Sequence, residues 1–352
     1  MIVRPVTVGD SYDFLVQDTQ GGQQSWPVYL ASFLLFAGLF SVVLWNIELP
    51  YLAWSAGPVS DAADAVVIEG QEVYTPEGEL LMLTVVSQDV NIFEAMIAGV
   101  DPTIDLVRKE RVRPPDESDE EYRERVLSQM DDSQIRAITV ALTALGYEMV
   151  PTDVIVVEIV EALPADGVLE PGDSVNTIDG NDIVRSTDVT AALEGKSPGD
   201  QLTLGITRAG SEMTVTLDLA AREDDPDSPI IGIVVRELTE PPFPVAIEAG
   251  NVGGPSAGMM HALAIIDSLT PGEMTKGNVI AGTGTIQYDG SVGNIGGVRQ
   301  KVAGAEAAGA TVILVPAGNY DEALTADRDD IEIVPIATIE EAITFLENLE
   351  AA

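Results

Sequence analysis

Twenty-two consecutive residues without a charge, Trp26 to Ile47, constrain this chain more than any other stretch. As a helix they reach about 33 Å at about 1.5 Å per residue, enough to cross the hydrocarbon core of a bilayer. A cleaved signal peptide has a shorter apolar core behind a basic leader. Here Arg4 stands against Asp10, Asp13 and Asp18 in the preceding tail, and the run is too long. All three tryptophans, Trp26, Trp45 and Trp54, with Tyr29 and Tyr51, fall at or near its ends, as an interfacial aromatic belt does. Residues 1–25 therefore read as a polar tail and 26–47 as a transmembrane helix. Orientation is weakly encoded, because no basic residue follows the span until Arg108.

The remaining three hundred or so residues are long enough for two or three folded units. The formal charge is −41, yet 46% of residues are hydrophobic, so the acidity must be spread over folded surfaces. Such a surface disfavours nucleic acid and anionic lipid headgroups as electrostatic partners. There is no cysteine, which excludes disulfides, thiolate metal sites and a cysteine nucleophile. With one histidine, a zinc site of the usual kind is not expected, and no cofactor motif is present.

Chemistry concentrates in Asn251-Val252-Gly253-Gly254-Pro255-Ser256-Ala257-Gly258. Gly254-Pro255-Ser256-Ala257-Gly258 fits the G-x-S-x-G turn that exposes a nucleophilic serine. The one histidine, His261, follows five residues later on the same expected helix, which takes its ring away from the serine and argues against a Ser-His-Asp triad. A lysine kept neutral by burial is the other standard base. Only Lys109, Lys196, Lys276 and Lys301 are available. The first two lie in polar surroundings and are expected in solvent, while Lys276 precedes a strand and either faces water or meets substrate. Lys301 shares a helical face with Val298, Val302 and Ala305, which points it inward and lowers its pKa. Spacing alone does not separate this from a snorkelling lysine on an ordinary helix.

These segments resemble the proteolytic domain of the Lon family, whose serine sits in G-P-S-A-G and whose lysine sits in G-G-x-x-x-K, here Gly296-Gly297-Val298-Arg299-Gln300-Lys301. Ala281-Gly282-Thr283-Gly284-Thr285-Ile286 is similar to that family's T-G strand. The resemblance implies a Ser256–Lys301 dyad, with Thr283 orienting the lysine. Gly253, Gly254 and Ala257 would support the serine loop, and an amide of Ser256 or Ala257 would stabilise the oxyanion. In that family an acidic residue commonly stands three positions before the serine; here that position is Gly253. Membrane-anchored PDZ–Lon proteins of bacteria match more closely still, which implies a cytoplasmic N-terminus and a body outside the cell membrane.

Along the chain, Ala65–Ile68 and Leu80–Val86 read as strands and Asn91–Met96 as a helix. Ser118-Asp119-Glu120-Glu121 is a capping box for one helix, and Ser133–Leu145 forms a further one. Residues 48–150 resemble the first part of a Lon-like domain. Residues 151–222 look like a PDZ domain, through strand Val154–Val160, Leu163-Pro164-Ala165-Asp166-Gly167 and Leu169-Glu170-Pro171-Gly172-Asp173-Ser174-Val175-Asn176-Thr177-Ile178-Asp179-Gly180. Residues 223–352, beginning with a strand at Ile230–Val235, alternate strands and helices and complete the Lon-like domain.

The expected fold class is thus an α/β (α+β) proteolytic domain with an inserted β-rich PDZ domain and one transmembrane helix. The expected function is a membrane-anchored serine endopeptidase whose PDZ domain takes protein or peptide substrates. No G-x-x-x-x-G-K-[ST] occurs, so no ATP-driven unfoldase is expected within this sequence. A homo-oligomer is compatible with the resemblance. Two other classes stand beside it: a catalytically inert membrane-anchored PDZ adaptor, and a signal-peptidase-like Ser-Lys enzyme. The latter is disfavoured because its serine should lie near the span in sequence.

Overall fold

A computed structural model describes residues 25–248, 250 and 253–352. The expected N-terminal tail therefore lies outside the described residues, except Ser25, as do Asn251 and Val252. The chain opens with α1 (Ser25–Trp45), almost wholly exposed along its length and long and apolar enough to cross a membrane. It ends two residues before Ile47, where Asn46 turns the chain.

The segment after α1, for which the sequence signals no element, forms a long strand, β1 (Glu48–Asp61). Its two prolines and a glycine hide the strand in the sequence, and pairing on both sides, with β3 and β4, holds it. Next come β2 (Val66–Ile68), β3 (Glu79–Asn91), α2 (Ile92–Ala98), β4 (Asp105–Arg108) and the short α3 (Lys109–Val112). Asn91 caps α2 through a reciprocal box with Glu94.

Ser118 and Glu121 cap α4 (Asp119–Ala144) as the sequence predicts, but α4 is one continuous helix and not two. Asp131-Asp132-Ser133 imitates a second start signal. Ser133 is nevertheless buried mid-helix, and its hydroxyl donates to the Pro255 carbonyl 3.1 Å away instead of capping.

A separate β-rich unit follows. It contains β5 (Val150–Ile159), β6 (Ser174–Ile178), β7 (Asn181–Asp182), α5 (Ser186–Ala191), β8 (Gln201–Arg208) and β9 (Ser211–Asp218). The two-residue strands β10 (Ala220–Ala221) and β11 (Pro229–Ile230) lead to β12 (Ile233–Glu240). This last strand corrects the sequence reading. Instead of opening the second α/β half, β12 pairs antiparallel with β5 over eight register positions and forms the edge of the sheet β12-β5-β6-β8-β9. Inside this unit Asp173 is fully buried and held by Arg208, whose guanidinium donates to both carboxylate oxygens at 2.7 Å and keeps that carboxyl below its usual range.

The chain then returns through β13 (Val245–Ile247), which pairs with β2. It continues as α6 (Gly258–Leu269), β14 (Val279–Gly282), the hairpin of β15 (Thr285–Ile286) and β16 (Val292–Gly293), α7 (Val298–Ala307), β17 (Val312–Pro316), α8 (Tyr320–Ala323), β18 (Glu332–Ile336) and α9 (Ile339–Asn348). Its sheet runs β18-β17-β14-β3-β1-β4, so residues 48–108 and 279–336 share one hydrogen-bonded layer. Strand β14 is parallel to both β3 and β17, whereas β1 is antiparallel to its neighbours.

Period-two alternation distributes that layer between two cores. Leu80, Met82, Ile280, Val312 and Leu314 pack with α6 and α9, while Leu81, Leu83, Ala281, Ile313 and Val315 pack with α7. Helix α6 is buried from Gly258 to Ser268 between the sheet and α4. Leu263 lies at its centre with no exposed surface. Leu263→Ala should therefore lower unfolding free energy by about 3–4 kcal/mol, the sum of lost transfer energy and a residual cavity. Urea denaturation of this variant checks how far α6 is the keystone of this core.

Candidate active site

Helices α6 and α7 lie on opposite faces of the sheet, so side chains from the two meet only beyond its end. Strand β14 stops at Gly282, and Thr283 and Gly284 follow at its C-terminal end. Crevices at this end of parallel strands are the usual position of α/β sites. Gly284 donates its amide to the Ser256 carbonyl at 2.8 Å and accepts from the Met259 amide at 3.1 Å. The Thr283 hydroxyl donates to the same Ser256 carbonyl at 3.1 Å. These three bonds fix the serine turn to the end of β14.

Two glycines make that turn sterically feasible. Gly254 has φ +94°, a conformation that ordinary side chains rarely adopt, and it directs the chain into the short 3-10 turn Pro255–Ala257 that leads into α6. A Cβ on Gly258 would stand 2.7 Å from Ser133 Oγ and 3.2 Å from the Ile286 amide nitrogen, so α4 and the hairpin close on the helix start. Gly253 is explained by space as well: a Cβ there would lie 2.5 Å from Val126 Cγ1 of α4. Ala257 is buried in the turn.

Lys301 Nζ lies 2.8 Å from Ser256 Oγ and 2.8 Å from Thr283 Oγ1. The lysine is 2% exposed and has no carboxylate partner among the described residues, and burial brings its pKa down to about 7. A substantial fraction of the amine is thus neutral at neutral pH and can accept a proton from Ser256.

The other lysines are committed elsewhere. Lys109 pairs with Asp89, and Lys196 with Asp179. Lys276 donates to the carbonyls of Glu347 and Leu349, closing the C-terminus of α9. His261 is fully buried with neither ring nitrogen hydrogen-bonded, and burial lowers its pKa to about 4, so it stays neutral and takes no part in a triad.

A cleft of about 320 Å³ opens over Ser256 and Lys301. One wall is β1 and β3, with Trp54, Leu83 and Val85; the other is α4, with Tyr122 and Val126. Arg125 braces the second wall by donating to both Glu117 oxygens, at 2.7 and 2.9 Å. Trp54 is therefore not part of an interfacial belt. It sits in β1 with Nε1 donating to Ser87 Oγ at 3.1 Å, close enough that a Cβ on Gly296 would touch its ring. Sequence reasoning missed Trp54, Val126 and Ser133 as neighbours of the site. The contacts that bring them to the site, Trp54 to Gly296, Val126 to Gly253 and Ser133 to Pro255, join residues far apart in sequence, and no local pattern carries such information.

Comparison with known proteins bears on both units. Residues 245–347 match the model of the Lon protease (S16) C-terminal proteolytic domain, and residues 130–219 match the model of the PDZ domain. A Lon protease of Methylocella silvestris is 38% identical over 118 residues, 32% of this chain and 14% of that protein. The archaeal Lon protease of Halobacterium salinarum is 32% identical over 96 residues, 27% of this chain and 13% of that one. The Lon protease of Phenylobacterium zucineum is 30% identical over 159 residues, covering 45% of this chain and 19% of that one. The chain therefore spans less than a fifth of the length of these relatives. Among solved structures, the PDZ domain of an SdrC-like protein from Listeria innocua aligns at 26% identity and TM-score 0.22, over 24% of this chain and 93% of that one. The two family models, taken with the fold, mean that this chain carries a PDZ domain together with a Lon-type C-terminal proteolytic domain.

Proposed function

We propose that this protein is a membrane-anchored serine endopeptidase that works without ATP through a Ser256–Lys301 dyad. The observation that carries the reading is the 2.8 Å contact between a buried lysine amine, with pKa about 7, and Ser256 Oγ. Ser256 Oγ attacks the peptide carbonyl while neutral Lys301 takes its proton and then delivers it to the leaving amine. Water hydrolyses the acyl-enzyme with the same lysine as base. Thr283 holds the amine in line through its 2.8 Å contact. The amide of Ser256 or Ala257, at the start of the turn entering α6, faces the developing oxyanion. The apolar walls of the cleft keep water away from the amine and so keep its pKa low.

No nucleotide-binding loop occurs in the sequence, so substrates must arrive unfolded or extended. The PDZ unit suits that delivery. Strand β12 is the edge of its sheet, with α5 beside it, and the Ser186 amide at the start of α5 donates to the Glu237 side chain of β12 at 2.9 Å. An extended peptide adds to such an edge by main-chain pairing. The exposed apolar α1 provides the anchor, with the body outside the cell membrane.

Cleavage of an unfolded casein by the full chain in nanodiscs, without ATP, tests the reading. Ser256→Ala and Lys301→Ala should each lower the rate by at least about a thousandfold. Equal rates in all three proteins would overturn the protease reading and leave the peptide-binding adaptor.

In the wild type the rate should rise with pH through an apparent pKa near 7, as the amine deprotonates. Thr283→Val removes one hydrogen bond to the amine, of about 1.5 kcal/mol, and should lower kcat about tenfold while shifting that limb of the profile.

Stability carries an independent signature of the same amine. The folded-state pKa of Lys301, about 7, lies below the value near 10.4 expected in the unfolded chain. Between these pH values the unfolded chain binds the extra proton, so the stability of the wild type relative to Lys301→Met should rise from about pH 7 to about pH 10 and level off below pH 7. Urea denaturation of both proteins across that range measures the difference.

A further inference from the structure

The body of the protein has an apolar prominence that neither the dyad nor the PDZ unit uses. Helix α2 leaves Met96 and Ile97 67% and 61% exposed, and Val100 just beyond it is 82% exposed. Ile47, at the exit of α1, is 47% exposed. Clustered exposed apolar side chains of this size mark an interaction surface. Their position identifies the partner. The last residue of α1, Trp45, packs its ring 6.0 Å from the ring of Phe93 in α2, so the prominence stands beside the point where the apolar helix ends. Tryptophan at such an end belongs at the headgroup level of a bilayer.

We propose that α2 and Val100 insert into the acyl–headgroup boundary of the membrane that α1 spans, giving the proteolytic domain a second, peripheral membrane contact. This rests on the reading of α1 as an anchor. The contact is apolar, since the prominence is flanked by Glu94 and Asp101, which give anionic headgroups nothing to pair with. It is also rigidly joined to the site. Asn91 caps α2 directly from the end of β3, and Asp105, after the turn that follows Val100, accepts from Arg299 Nη1 at 2.6 Å. Arg299 lies two residues before Lys301 on α7. Immersing α2 therefore fixes how the cleft faces the membrane surface, and favours polypeptide segments lying close to that surface as substrates.

The absence of cysteine allows single spin labels to be placed at will in the full chain, reconstituted into phosphatidylcholine vesicles. Four sites suffice: Phe36→Cys within α1, Met96→Cys and Val100→Cys on the prominence, and Glu212→Cys on an exposed strand of the PDZ unit as an aqueous control. The readout is collision with oxygen, which concentrates in lipid, against collision with a water-soluble nickel chelate. The expected result is an oxygen-to-nickel ratio several-fold higher at positions 96 and 100 than at 212, and higher still at 36. A high ratio at 36 with water-like ratios at 96 and 100 overturns the inference and leaves the anchor intact. Shielding of 96 and 100 from both reagents also overturns it, because the surface is then covered by protein, such as a second copy. A water-like ratio at 36 removes the anchor reading itself and the inference with it.

Discussion

Everything about the site depends on placing one amine where water does not reach it. A lysine in solvent is protonated at neutral pH and cannot serve as a base. Lys301 is buried because α7 lies against one face of the sheet, with Val298, Val302 and Ala305 packed beside it. It meets Ser256 because α6 lies on the other face and both helices reach past the end of β14. The Thr283 hydroxyl at that end satisfies the amine without charging it. A carboxylate in the same place would stabilise the ammonium form and raise the pKa. The neutral hydroxyl partner is thus as much a part of the chemistry as the burial.

That arrangement explains which features of the sequence were readable. Local signals survived: the Ser118–Glu121 cap, the uncharged run that became α1, and the glycine-flanked serine turn. The lysine was legible by elimination, since so few exist and only one shares a face with valine and alanine. Features decided by partners far away in sequence were not. Strand β1 carries prolines and a glycine that speak against a strand, and its existence rests on pairing with β3 and β4. Strand β12 has a β-branched run that fits either sheet, and only its pairing with β5 assigns it. Ser133 looked like a helix cap because the sequence cannot show the Pro255 carbonyl across the core. Trp54 was misread for a related reason: proximity to the apolar run suggested an interface, whereas strand alternation turned the ring toward the cleft.

The order of elements has a mechanical consequence. The sheet is assembled from residues 48–108 and 279–336, so the dyad's layer is incomplete until the β-rich unit between them has been bridged. Helix α4 enters that unit through β5, and β12 leaves it toward β13. The two connections meet each other instead of the site: Tyr147, after α4, packs edge-on against Phe243, before β13, with ring centroids 5.1 Å apart, while Leu145 lies beside Ile266 and Thr270 at the end of α6 remote from Ser256.

A dry amine and an accessible serine make opposite demands, and the cleft reconciles them by the character of its walls. Trp54, Leu83, Val85 and Val126 provide apolar surface around Ser256 without closing over it. In the proposed mechanism an extended substrate laid against those walls keeps water from the reacting groups as it binds. That exclusion would preserve the neutral base already set by the burial of Lys301 and strengthen amide contacts to the oxyanion. The proposed chemistry therefore asks two things of one cleft: walls apolar enough to keep Lys301 dry, and a mouth open enough to leave Ser256 within reach of an extended segment.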